Sequence, residues 1–130
     1  MKDSAESVAR AFVAAINRQD VEGLVGLMTA GHRFVDSMGN VVEGREQMRA
    51  PWAGYFRMVP DYSIVVEECF GDRPVVVMVG VAAGTYAPDG VLKAENRWET
   101  PAVVRAVVEG GLVAEWRVYA DNEPMRRLMG

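Results

Sequence analysis

The stretch VLKAENRWETPAVVRAVV, residues 91–108, decides the fold. Successive side chains of an extended chain point to opposite sides. Lys93, Glu95, Arg97 and Glu99 therefore share one face, and Ala94, Asn96, Trp98, Thr100, Ala102, Val104 and Ala106 the other. The second face is small and apolar, yet it carries Asn96 and Thr100, whose polar atoms need partners if they are buried. Such a strand reads as the inner wall of a sheet that encloses space. Working outward, residues 62–70, 75–86 and 112–120 have the same extended character. Gly71-Asp72, Pro88-Asp89-Gly90 and Glu109-Gly110-Gly111 lie between them and supply the permissive backbone of hairpin connections.

Ahead of these strands the period changes to that of helices. Val8, Ala11, Phe12, Ala15 and Ile16 form one stripe of an amphipathic helix over residues 4–17, capped by Asp3 or Ser4. Asp20 stands at the N-cap position of a second helix, with Val21, Leu24, Val25 and Met28 as its apolar face. A short strand follows at residues 32–36, with a turn at Met38-Gly39-Asn40 before Val41-Val42. Met48, Trp52, Tyr55, Phe56 and Val59 predict a third helix over residues 45–59, kinked by Pro51, which lacks an N–H. Asn122-Glu123-Pro124 starts a last short helix. Helices in front and a sheet behind give an α+β fold in one domain, residues 1–130, with the helices on one face of an antiparallel sheet. Residues 75–79 and 102–108 are apolar at both parities, so the outer face also needs cover. A second copy of the sheet supplies it most simply, predicting a homodimer.

Composition narrows the chemistry. The chain has 130 residues, half of them hydrophobic, and a formal net charge of −4. With Cys69 its one cysteine and His32 its one histidine, it has neither a disulfide framework nor a Cys/His zinc cage, and no metal or organic cofactor is expected. The absence of a Lys/Arg run argues against a nucleic-acid partner. No apolar run reaches the ~18 residues of a membrane span. The polar, acidic start at residues 1–6 is unlike a secretory leader, so a cytoplasmic location is expected.

Trp116 and Val118 share the inner parity of the long strand's neighbour. Together with Phe34, Trp52, Tyr55, Asn96, Trp98 and Thr100 they outline a pocket for a small, mostly hydrophobic molecule with one or two polar handles. Asp36, at the end of the first strand, is the candidate catalytic acid/base. The competing reading gives Asp36 a structural role, accepting hydrogen bonds from the 38–40 turn. His32 has the same parity as Asp36 and could share its wall, although a lone histidine at a strand start is expected at the surface. Arg97, Glu95 and Glu99 read as a charge ladder across strands.

The residues 8–17 and 20–24, then Phe34-Val35-Asp36-Ser37-Met38-Gly39, residues 44–48 and the ending 111–122, resemble the NTF2-like superfamily. Within it the likeness is to SnoaL-like domains and, more distantly, to ketosteroid isomerase. The resemblance covers nearly the whole chain. It implies a cone of curved antiparallel sheet around a pocket, packed against three helices, with polyketide cyclase-like relatives. The isomerase's general-base aspartate falls on Asp36. Its oxyanion-donating tyrosine falls on Phe12 and its protonated aspartic acid on Val104, or on Val103 if the hairpin is counted differently, so both donors are missing, while Phe12 and Val104 become apolar pocket candidates. Steroid isomerisation by that mechanism is therefore not expected. The resemblance implies either cofactor-independent proton transfer of isomerase, cyclase or dehydratase type, or a non-catalytic dimeric ligand-binding or accessory module.

Overall fold

The computed structural model describes residues 4–71 and 73–130; Asp3 and Asp72, named above in a cap and a turn, lie outside them. Helix α1 spans Ala5–Asn17, and the Ser4 hydroxyl accepts the N–H of Ser7 at its start. Val8, Phe12, Ala15 and Ile16 of its stripe are buried in the core, whereas Ala11 is exposed. Helix α2 (Val21–Gly26) is capped by Asp20, whose carboxylate accepts the Gly23 N–H at 2.9 Å. It stops short of Met28, which instead opens strand β1 (Met28–Val35). Strand β2 (Val41–Glu43) pairs antiparallel with β1.

The expected helix over 45–59 is divided. A 3₁₀ turn, Arg45–Gln47, precedes α3 (Arg49–Met58). Pro51 is therefore the third residue of α3 rather than an interior one. An N–H there has no partner within the helix in any case, so its absence costs nothing and produces no kink.

Strands β3 (Ser63–Phe70), β4 (Val75–Thr85), β5 (Arg97–Glu109) and β6 (Leu112–Ala120) form an antiparallel meander, followed by α4 (Glu123–Met129). The sheet order is β2-β1-β6-β5-β4-β3. Strand β1 joins the meander by pairing parallel with β6, Phe34 opposite Trp116, so the sheet is mixed rather than wholly antiparallel. Strand β5 also begins later than residue 91. Its first residue, Arg97, pairs with Thr85, the last of β4, and beyond that pair one further backbone bond, from the Tyr86 N–H to the Asn96 carbonyl at 3.0 Å, closes the ladder. Residues Ala94–Asn96 turn in a 3₁₀ segment instead.

From Arg97 onward the alternation of β5 holds. Trp98, Thr100, Ala102, Val104, Ala106 and Val108 are buried, while the intervening residues are exposed or half-exposed. The helices pack on this inner face. Under α1 the core gathers Phe12, Ile16, Leu24, Met28, Val76 and Trp116. A second cluster of Val59, Ala82, Trp98 and Ala102 is met by Met125 and Leu128 of α4. The outer face carries half-exposed Val77, Val79, Val81, Val103 and Val107, with Val65 59%, Phe70 54% and Tyr119 46% exposed. Polar groups cross it as well. Glu115 bonds Arg105 at 2.8 Å and lies 3.4 Å from Arg33, and this is the charge ladder of the sheet rather than Arg97 with Glu95 and Glu99. Among the described residues no helix is long and apolar enough to cross a membrane.

Candidate functional site

A cavity of about 360 Å³ lies between the inner face of the sheet and α3. The register explains its walls. Thr100 lies opposite Ala82, Phe34 opposite Trp116 and Val42 opposite Phe34, and all of these line it. Helix α3 contributes Trp52 and Tyr55, with Pro51 on its first turn and Met48 just before it. Tyr62 enters from the residue preceding β3. The half-exposed Asp36 and Ser37 and the exposed Asn40 and Asn122 form the solvent side, where the Asn122 amide donates to the Ser37 hydroxyl.

The carboxylate of Asp36 is engaged on both oxygens. Oδ1 accepts the N–H groups of Met38 and Asn40, each at 2.9 Å, and Oδ2 accepts the Asn40 side-chain amide at 3.1 Å. The turn that follows β1 is thus organised around it, as the structural reading expects. A carboxylate has about four lone-pair sites. One acceptor position on Oδ2 is left, on a residue that also lines the cavity.

The tyrosines are neutral donors. The Tyr55 hydroxyl donates to the sulfur of Met125 at 3.6 Å, which ties α3 to α4. Burial, with a smaller contribution from neighbouring Tyr62, holds the Tyr55 phenol well above its ordinary range, and burial alone pushes Tyr62 up to about 12. The rings meet edge to face with centroids 5.0 Å apart, and Tyr62 in turn lies 6.0 Å from Trp98. The indole N–H of Trp98 is buried without a hydrogen-bond partner among the described residues. Such a group ordinarily signals a missing water or ligand. Among the described residues no group of three or more His, Cys, Asp or Glu is arranged to hold a metal ion.

Of the residues singled out from sequence, Asp36, Phe34, Trp52, Tyr55, Trp98, Thr100 and Trp116 surround this cavity. Phe12, Val104 and Asn96 do not. Phe12 is fully buried in the core behind Trp116, ring centroids 4.3 Å apart, and Val104 is buried under the helices opposite Met78. Asn96 falls in the 3₁₀ turn ahead of β5, so the parity that placed it beside Thr100 does not apply. His32 is fully buried rather than at the surface, and it does not line the cavity with Asp36. Its Nδ1 lies 2.6 Å from the Val113 carbonyl, and its ring stacks on Phe12 at 5.9 Å. Its Nε2 is buried without a partner among the described residues. Burial lowers the imidazole pKa, with the Val113 carbonyl and the Glu115 charge opposing that shift.

Sequence reasoning passed over several wall residues that carried a signal. Ala120 and Asn122 continue the parity of Trp116 and Val118. Tyr62 shares that of the buried Ile64. Met48 lies one helical turn before Trp52 and two before Tyr55.

The SnoaL-like domain family matches residues 9–116 of this chain. A candidate SnoaL-like polyketide cyclase from Shewanella denitrificans OS-217 is similar in structure, with a TM-score of 0.80 and 17% identity over 96% of each chain. An uncharacterized cystatin-fold protein from Novosphingobium aromaticivorans is 27% identical over 89% of this chain and 97% of that one, with a TM-score of 0.70. A hypothetical protein with a ketosteroid isomerase-like fold from Catenulispora acidiphila, solved in complex with trimethylamine, has a TM-score of 0.74 and 19% identity, covering 86% of this chain and 83% of that one. No curated protein is similar enough in sequence to count as a match.

Proposed function

We propose, from the premise that this chain belongs to the SnoaL-like domain family, that it binds a small, mostly hydrophobic molecule in the cavity and that Asp36 moves a proton there. The observation that carries this reading is the unused acceptor position of Asp36 Oδ2 on the wall of a ring-lined cavity. The turn holds the carboxylate in place by three hydrogen bonds, so it meets a bound molecule in one orientation. Tyr62 and Thr100 line the same space and offer hydroxyl protons to a substrate oxygen that gains charge as the proton leaves. The reaction class is cofactor-independent proton transfer of the isomerase, cyclase or dehydratase type, in a reducing cytoplasm that suits the free Cys69.

Proton exchange at the carbon next to the carbonyl of 2-tetralone, followed by NMR in D2O, tests both halves. The protein accelerates the exchange, and Asp36→Asn lowers the rate by about 100-fold or more. Binding of 2-tetralone without acceleration would instead support the second reading, a non-catalytic module. That reading is favoured by one observation: Phe12 and Val104, which stand where ketosteroid isomerase has its donors, are apolar and lie in the core away from the cavity.

The partner of the outer sheet face is a second copy of the chain. Half-exposed valines on β4 and β5 lie side by side there, Val79 opposite Val103 and Val75 opposite Val107. Face-to-face packing of two such sheets removes this apolar surface from water on both copies at once.

A further inference from the structure

We infer that the cavity selects a cationic ligand, an alkyl- or arylammonium group, over neutral and anionic molecules of the same shape. The inference rests on the cavity being a ligand site and does not depend on Asp36 moving a proton. Its first support is the charge of the wall. Asp36 is the one carboxylate among the lining residues, and no Lys, Arg or His joins it. An anion entering this space would find no counter-charge and would meet the carboxylate.

The second support is the origin of the rings. Phe34, Trp52, Tyr55, Tyr62, Trp98 and Trp116 come from β1, α3, the start of β3, β5 and β6, so aromatic groups from several elements line the cavity, its solvent side apart. An aromatic ring has a negative face, and an ammonium group seated over such a face is attracted to it. The hydroxyls of Thr100 and Tyr62 offer oxygen lone pairs as well as protons and do not oppose a cation. The Asp36 carboxylate, which lines the same cavity, supplies the negative charge that pairs with the cation.

Three ligands of matched size separate the possibilities: phenyltrimethylammonium, its carbon isostere tert-butylbenzene, and benzenesulfonate. All three tryptophans of the chain line the cavity, so intrinsic fluorescence reports occupancy. The cation binds about tenfold or more tighter than tert-butylbenzene, and benzenesulfonate does not bind at matched concentration. Asp36→Asn, which keeps one carbonyl acceptor for the turn, reduces the advantage of the cation over tert-butylbenzene several-fold. Equal binding of cation and carbon isostere, or tighter binding of the isostere, overturns the inference while the cavity stands as a ligand site. Failure of all three to bind overturns both.

Discussion

His32 shows how one buried side chain can set the acid sensitivity of a small protein. Its imidazole is enclosed, its Nδ1 is held by the Val113 carbonyl, and its Nε2 has no acceptor among the described residues for a second proton. Protonation in the folded state would bury a charge with one N–H unpaired, so the folded pKa is lowered from the usual 6.5. The unfolded chain then binds the proton first. Stability is at its full value above about pH 6.5 and declines as the pH falls below it, by up to about 1.4 kcal/mol per unit until the folded pKa is reached. Thermal melts followed by circular dichroism between pH 7.5 and 5.5 should show Tm falling by several degrees, and His32→Leu should flatten that slope. The burial of His32 was not legible from its neighbours. Gly31 and Arg33 read as surface, and the residue that encloses it, Phe12, lies on α1 far back in the chain. The turn-organising role of Asp36 was legible, because a carboxylate two residues before a Met-Gly-Asn turn is positioned to accept that turn's N–H groups.

At the scale of elements, local signals told most of the story where a segment satisfies itself and less where its partner is remote. The Asp20 cap could be read directly. Replacing Asp20 with Ala removes the acceptor of the Gly23 N–H and should cost about 1 kcal/mol of stability, measured by urea denaturation. The limits of β5 could not be read from residues 91–96, since the pattern continues past the point where β4 runs out of residues to pair. Parity then misplaced Asn96 but correctly turned Trp98 and Thr100 inward. Gly80 on β4 is a tighter constraint. The register of β3 against β4 shifts between Val66 and Glu68, and a Cβ on Gly80 would stand 1.8 Å from the Val65 carbonyl oxygen. Gly80→Ala must displace backbone there, and a loss of more than about 3 kcal/mol, or failure to accumulate folded protein, is expected in the same denaturation assay.

For the whole molecule, the two-sided apolar pattern of β4 and β5 leaves half-exposed apolar residues on the outer face of the sheet. The inner face is covered by the chain's own helices, and a second copy is proposed to cover the outer one. Analytical ultracentrifugation at micromolar concentration should give a dimer. Val79→Lys should give a monomer with unchanged far-ultraviolet circular dichroism, because Val79 lies on the outer face and outside the core. A wild-type monomer at that concentration would refute the pairing. The α+β layering was legible from the order of periodicities, whereas the parallel seam between β1 and β6 was not, since no local pattern records which distant strand an edge will meet. That seam bears on synthesis. During translation β1 emerges well before the strand it must join, Leu112–Ala120. Until then the inner surfaces of α1 and β1 have no Trp116 to close on. The sheet therefore cannot be completed from the N-terminal end as the chain grows, and a nascent chain arrested before residue 112 should remain protease-sensitive through α1 and β1.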